Sequence, residues 1–282
     1  MSTRSFIKMH GLGNDFVVVD AREVSFALDA ERARLVADRR TGVGCDQIVV
    51  LEPPRNGQAD VFMRFWNADG GEVAACGNGT RCAAALIMAE DGRHSLTIET
   101  LAGLLGAEAS DDGRVSVDMG EARLGWDEIP LAREQDTQHL ELALEALRDP
   151  VAVNMGNPHA VFFVGDAAAI DLAALGPQLE HDPIFPERAN IGVAQLTGTD
   201  ALRLRVWERG TGVTRACGTG ACAAAVAAAR RGLTGRRVTV TLDGGPLEID
   251  WRDDGHVMMT GPVATAFTGE LDIEALCAGT AS

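Results

Sequence analysis

The chain has 282 residues, enough for two domains of ordinary size, and 46% of them are hydrophobic, so burying a core presents no difficulty. Its 41 acidic residues outnumber 25 basic ones, and the resulting formal charge of −16 repels nucleic acid and anionic membrane and leaves any carboxylate ligand to local donors. Aromatic residues are scarce (5%, no tyrosine), whereas 32 glycines favour tight turns and close backbone approaches over the stacking of bases.

In chain order, the first half offers the strand candidates SFIKMH, FVVVD, QIVVLE, VFMRFWN, SLTIET and RVSVDMG. Between them lie two helix candidates, Asp29 to Arg40, with Asp29 as N-cap, and Cys76 to Glu90. The stretch from Glu121 to Pro150 is charged, holds two prolines and a tryptophan, and is predicted to be a connection with a short helix. The second half then runs VAVNMG, AVFFVGD, NIGVAQL and LRLRVWERG, an Ala-rich helix from Cys217 to Arg230, and the closing strands RVTVTLDG, PLEIDWRD, HVMMTG and ATAFTGELD. No segment approaches 18 consecutive apolar residues, and the opening stretch lacks the apolar run of a secretory signal. Six cysteines without a Cys-x-x-Cys pair argue against a zinc ribbon or thioredoxin-like motif, and reduced thiols in a cytoplasm are the expectation.

One phrase occurs twice. ACGNGTRCAAALIMA begins at Ala75 and ACGTGACAAAVAAAR at Ala216. At the same 141-residue shift, Arg64 and Trp66 meet Arg205 and Trp207, and Asn67 meets Glu208; at a shift of 143, Asn14 meets Asn157 and Gln47 meets Asn190. Two halves with one plan imply duplication and a pseudo-twofold axis, with equivalent motifs meeting where ligand clefts commonly lie. In each copy the cysteine stands at a helix N-terminus, where unpaired N–H groups and the helix dipole favour negative charge. A thiol pKa below the free value of about 8.5 is expected there, and a substrate carboxylate can dock on the N–H groups of Gly77, Asn78, Gly218 and Thr219. Two such thiols on opposite faces of one carbon can serve as base and acid and so invert it, without a pyridoxal phosphate lysine. Cys82 and Cys222, inside the helices, read as core, and Cys45 and Cys277 as structural.

At these residues the chain resembles the diaminopimelate epimerase family. MHGLGNDFVVVD, GVGCDQ, FWNADG, ACGNGTRCAA, NMGNPH, FPERANIG, VWERG and ACGTGACAA occur in the family's order over nearly the full length. The resemblance implies an α/β (α+β) fold of two pseudo-symmetric lobes, each a mixed, rolled sheet around a central helix. The N-terminal lobe would span 1–120, completed by 264–282, and the C-terminal lobe 121–263. It implies interconversion of LL- and meso-2,6-diaminoheptanedioate, for lysine and cell-wall precursor synthesis, without cofactor or metal, in a cytoplasmic homodimer. Cys76 and Cys217 would be the proton donor and acceptor, and Gly77, Asn78, Gly218 and Thr219 the hold on the reacting carboxylate. Glu208 would take the reacting ammonium. Asn67, Asn157, Asn190 and Arg209 would read the distal amino-acid head, with Asn14 and Gln47 completing the walls and His159 supporting one thiol. Thr219 stands where many members have Ser, and Cys45 has no assigned role. Two other readings stay open: a two-cysteine racemase of proline or hydroxyproline, which lacks a distal zwitterion to read, and a non-catalytic thiol redox sensor.

Overall fold

The computed structural model describes residues 3–279. The chain divides into two units, Met1–Val117 with Gly261–Ser282, and Asp118–Thr260. The first contains β1 (Thr3–Gly11), β2 (Asn14–Asp20), α1 (Ala30–Ala37), β3 (Gln47–Glu52), β4 (Val61–Asn67), β5 (Glu72–Val73), α2 (Gly77–Asp91), β6 (Ser95–Thr100) and β7 (Gly103–Ala109), and the unit boundary falls within β8 (Val115–Glu121). The second holds β9 (Ala143–Leu144), β10 (Leu147–Arg148), β11 (Val151–Asn154), β12 (Pro158–Phe163), α3 (Leu172–Glu180), β13 (Asn190–Gly198), β14 (Ala201–Glu208), β15 (Gly212–Thr214), α4 (Gly218–Arg230), β16 (Arg237–Leu242), β17 (Gly245–Trp251) and most of β18 (His256–Gly261). The returning strand β19 (Ala264–Asp272) and α5 (Ile273–Gly279) belong to the first unit, where β19 pairs antiparallel with β1.

The duplication read in the sequence is a duplication of ladders. In the first unit β1–β2 is antiparallel, β2–β3 parallel, β3–β4 and β4–β5 antiparallel, β4–β6 parallel and β6–β7 antiparallel. The second repeats this series as β11–β12, β12–β13, β13–β14, β14–β15, β14–β16 and β16–β17. Register is kept as well: Phe16 lies beside Gln47, and 143 residues later His159 lies beside Asn190.

Helices cover both faces of each sheet, which is why strands such as FVVVD read as unbroken apolar runs. On one face α1 packs Ala33 and Val36 onto Val17, Val19, Ile48 and Val50, and α3 packs Leu172, Leu175 and Leu179 with Phe162, Ile191 and Val193. On the other face α2 lies against β1, β2, β3, β6 and β7, and α4 against β11 to β14, β16 and β17. Gly220 through Ala228 is buried without interruption, the mark of a helix enclosed on all sides, and Ala-rich sequence keeps such a helix thin enough to be enclosed. Cys82 and Cys222 are buried within these helices, as their positions predict.

Two expectations differ from the structure. The helix predicted between Glu121 and Pro150 is absent; the stretch is turns and the β9–β10 hairpin. Leu140 and Leu142 bury themselves with an alternating, strand-like spacing before the turn and Leu147 after it, and Glu145 adopts a left-handed φ of 53° at the tip. Conversely α3 is a helix that the sequence reading passes over, because Gly176 and Pro177 look like breakers.

Candidate active site: two cysteine-capped helix termini

Cys76 is the N-cap residue of α2, extended at φ −146° and half-buried, and its carbonyl accepts from the Thr80 N–H and hydroxyl, both at 2.8 Å. Gly79 lets this first turn press onto the sheet: a Cβ there would lie 3.0 Å from Phe65, 3.2 Å from Phe16 and 3.3 Å from Val49. Around the terminus the amides form a directed chain. Asn14 donates its Nδ2 to Asp46 Oδ2 (2.9 Å), and Asn78 donates its Nδ2 to Asn14 Oδ1 (3.1 Å). A carboxylate only accepts, so Asp46 fixes the orientation of Asn14, and Asn14 that of Asn78. The buried Asn78 Oδ1 is left without a donor among the described residues, as is Gln47 Oε1, whose Nε2 donates to Asn67 Oδ1 across the β3–β4 ladder at 2.7 Å. Beneath this chain Arg39 binds Asp46 (2.8 Å) and Asp15 (2.6 Å), and Lys8 also pairs with Asp15. Burial alone would raise the Asp15 pKa, but the hydrogen bonds from Arg39 and Lys8 outweigh it and hold the carboxyl well below the usual range.

Cys217 caps α4 in the same extended conformation, φ −120°, but is only 4% exposed. Its sulfur accepts from the Gly220 N–H at 3.3 Å and lies 3.6 Å from Thr219 Oγ1. A Cβ on Gly220 would sit 3.1 Å from that sulfur and 3.1 Å from Val206, the counterpart of Phe65. The expected depression of the thiol pKa is not found here. Burial pushes Cys217 well above its ordinary value and the neighbouring Glu208 carboxylate adds to it, which the contacts with Thr219 and Gly220 do not offset. A helix terminus favours a thiolate, but removal from water beside an anion disfavours it more.

Glu208 ends β14 and accepts a hydrogen bond from the Thr214 hydroxyl. Asn190 is buried, donates to the Pro158 carbonyl at 2.9 Å and accepts the Arg209 N–H at 2.9 Å, while the Arg209 guanidinium donates to the Glu187 carbonyl at 2.8 Å. His159, 1% exposed, has Asn157 Oδ1 2.9 Å from its Nε2, so Nε2 carries the proton and the support goes to the Asn157 amide. Burial first, and then the Arg209 charge, push the His159 pKa down to about 3.

Thus one end of the first unit gathers Asn14, Gln47, Asn67 and Asn78 beside Cys76 and Gly77. One end of the second gathers Asn157, His159, Asn190, Glu208 and Arg209 with Cys217, Gly218 and Thr219. The sequence reading missed Asp15, Asp46 and Thr214, two carboxylates and a hydroxyl that hold the site residues rather than repeat with them; Asp15, which follows Asn14 in MHGLGNDFVVVD, and Asp46, which precedes Gln47 in GVGCDQ, carried a signal by their place in the motifs.

The fold is that of a known class. A phenazine biosynthesis protein of the PhzF family from Bacillus anthracis superposes with a TM-score of 0.69 at 17% identity, covering 96% of this chain and 100% of that one. A hydroxyproline epimerase from Agrobacterium vitis, with bound trans-4-hydroxy-L-proline, gives 0.68 at 16% identity, covering 96% and 91%. Within that class the sequence is more specific. The family model for diaminopimelate epimerase matches residues 6–125 and 151–266, and the diaminopimelate epimerase of Rhodospirillum centenum is 61% identical over 95% of this chain and 92% of its own length. The chain belongs to the diaminopimelate epimerase family.

Proposed function

We propose that the protein interconverts LL- and meso-2,6-diaminoheptanedioate by exchanging the α-proton between Cys76 and Cys217. One observation carries this reading: equivalent places in a duplicated fold each hold a cysteine capping a Gly-x-Gly helix start. Inversion needs a base on one face of the α-carbon and an acid on the other, and the chain supplies one thiol from each repeat. In one direction Cys217, whose pKa burial beside Glu208 pushes up, keeps its proton and is the acid, and Cys76 is the base, removing the α-proton as thiolate. The C–H electrons pass into the substrate carboxyl as an enediolate, whose charge the N–H groups at the two helix starts stabilise. They return to carbon as the Cys217 S–H bond gives up its proton, leaving Cys76 protonated and Cys217 as thiolate. That product form of the enzyme accepts the opposite epimer.

Glu208 takes the reacting ammonium. Asn67, Asn157, Asn190 and Arg209 read the distal head, with Asn14 and Gln47 completing the walls. A proline or hydroxyproline racemase would have no use for this distal set, and a 61%-identical relative carries the diaminopimelate epimerase name. We further propose a cytoplasmic location, since the two thiols need a reducing compartment, and a homodimer, which sedimentation at micromolar concentration tests. The decisive experiment is a proton NMR time course with LL-diaminopimelate in D2O. Early product carrying deuterium at one α-carbon, with unreacted substrate still protonated, supports two bases. Equal early labelling of substrate and product, or no turnover, overturns the reading.

A further inference from the structure

The charged pair Glu208–Arg209 is held from below by a carboxylate that no motif contains. Glu180, the last residue of α3, is 2% exposed. Three donors converge on it from separate segments: Trp207 Nε1–H at 2.7 Å on one oxygen, and the Gly210 N–H at 3.1 Å and Arg188 at 3.4 Å on the other. A carboxylate is removed from water this completely only when its lone pairs are met, and here they are met by residues on both sides of Glu208 and Arg209. One turn earlier on the same helix face, a Cβ on Gly176 would lie 2.5 Å from the Trp207 ring, so the indole rests directly on the α3 backbone with its N–H turned to Glu180. The third donor, Arg188, has a left-handed φ of 60° and follows Glu187, whose carbonyl accepts the Arg209 guanidinium. Glu180 therefore fixes the strand end before the pair, the turn after it, and the segment against which Arg209 leans.

The first unit supplies a control. Its equivalent tryptophan, Trp66, is 8% exposed with its indole N–H unpartnered among the described residues, and α1 ends in Ala37 rather than an acid. There the tryptophan precedes neutral Asn67 and Ala68. The acid is present in the unit whose tryptophan precedes charged reading residues.

We propose that Glu180 is a positioning residue for substrate recognition, acting through Trp207 and Gly210 on Glu208 and Arg209. This rests on the roles given to that pair above. The test is steady-state kinetics of the full chain carrying Glu180→Gln, Trp207→Phe, or both, with the wild type in D2O alongside. The glutamine keeps the shape but turns a donor toward a donor. KM for diaminopimelate should rise about 10–100-fold with a much smaller change in kcat, since misplaced binding groups weaken recognition before chemistry. Early product should still be singly deuterated. Trp207→Phe should raise KM less, and the double variant should be no worse than Glu180→Gln, because both changes cut one link. The Trp207 Nε1–H proton resonance, assigned by its loss in Trp207→Phe, should move in Glu180→Gln. A lowered Tm with KM unchanged in both single variants overturns the proposal, as does a double variant showing the full product of two independent losses. If Glu180→Gln does not fold, an unchanged KM in Trp207→Phe is enough to overturn it. A wild type that neither binds nor turns over diaminopimelate sinks the functional reading instead, and this proposal with it.

Discussion

Asn67 at the end of β4 and Glu208 at the end of β14 occupy the same place in two copies of one ladder, as do Phe16 and His159, and Ala37 and Glu180 at the ends of the outer helices. The copies keep what the backbone needs: the cysteine cap, the second glycine of the motif, the alternating parallel and antiparallel pairing. They differ in charge. Around Cys76 the site residues are amides, oriented by a salt-bridged Asp15–Asp46–Arg39 group. Around Cys217 they include an acid and an arginine, and the thiol itself is buried, its pKa pushed up by that burial and by Glu208. A symmetric frame can place two similar groups, but telling one end of a zwitterion from the other needs unlike neighbours.

The largest effect should come from the feature the two units share. Cys76→Ala and Cys217→Ala should each lower epimerisation by at least about 10³-fold, since either loss removes one face of the inversion. Cys82→Ala and Cys222→Ala, in the enclosed helices, should cost only about 1–2 kcal/mol of stability with turnover kept. If Cys222→Ala were as inactive as Cys217→Ala while folded, the equivalence of the two caps would lose its meaning.

His159 and Phe16 allow a sharper comparison through pH. A histidine whose folded pKa is about 3 stays neutral where an unfolded one, near 6.5, takes up a proton. Between those values the unfolded state binds more protons, so stability rises with pH across the window and is lost as pH falls from about 6.5 toward 3, by about 1.4 kcal/mol per pH unit. His159→Phe copies the first unit's residue and removes this dependence. Urea midpoints from pH 7 to 4.5 should fall more steeply for the wild type than for the variant. Parallel curves would mean that His159 is protonated in the folded protein and would break the account of its burial.

The two glycines test the frame itself. Gly79→Ala drives a methyl into Phe65, Phe16 and Val49, and about 1–3 kcal/mol of destabilisation is expected, with KM and kcat little changed once the protein is folded. Gly220→Ala meets the Cys217 sulfur, so kcat should fall beyond what lost stability explains. A Gly79→Ala variant that is stable but inactive would reverse the assignment.

Much of this was legible before any coordinates, for a physical reason. A cap, a close helix–sheet approach and a reactive thiol constrain residue type at fixed spacing, so Cys-Gly-x-Gly survives as a readable phrase in both halves. Asn14, Gln47, Asn157 and Asn190 were readable because the register repeats. Three things were not. The helix α3 was hidden because Gly176 makes sense only against the Trp207 ring. The Leu140–Leu147 hairpin was hidden because spaced leucines fit helix and strand alike. The rise in the Cys217 pKa was hidden because helix polarity is local and visible in sequence, whereas burial beside Glu208 is tertiary.

The smallest effect is expected at Trp66, and set against its counterpart Trp207 it separates the two units most directly. Trp66→Phe removes an indole N–H that has no partner among the described residues, and trades some buried area for relief of an unmet donor. Those terms are each about 1–2 kcal/mol and opposite in sign, so the unfolding free energy should hardly move. The Arg64 guanidinium, 5.2 Å from the Trp66 ring, keeps an aromatic face in phenylalanine. Trp207 is only half-buried, so Trp207→Phe loses less area, but it strips a donor from buried Glu180, so both terms are unfavourable and about 2–4 kcal/mol should be lost. Urea unfolding of the two variants under one condition reads the difference. Equal losses would show that the two indoles are held alike, and the contrast between an acid-held and an unheld tryptophan would then have to be abandoned.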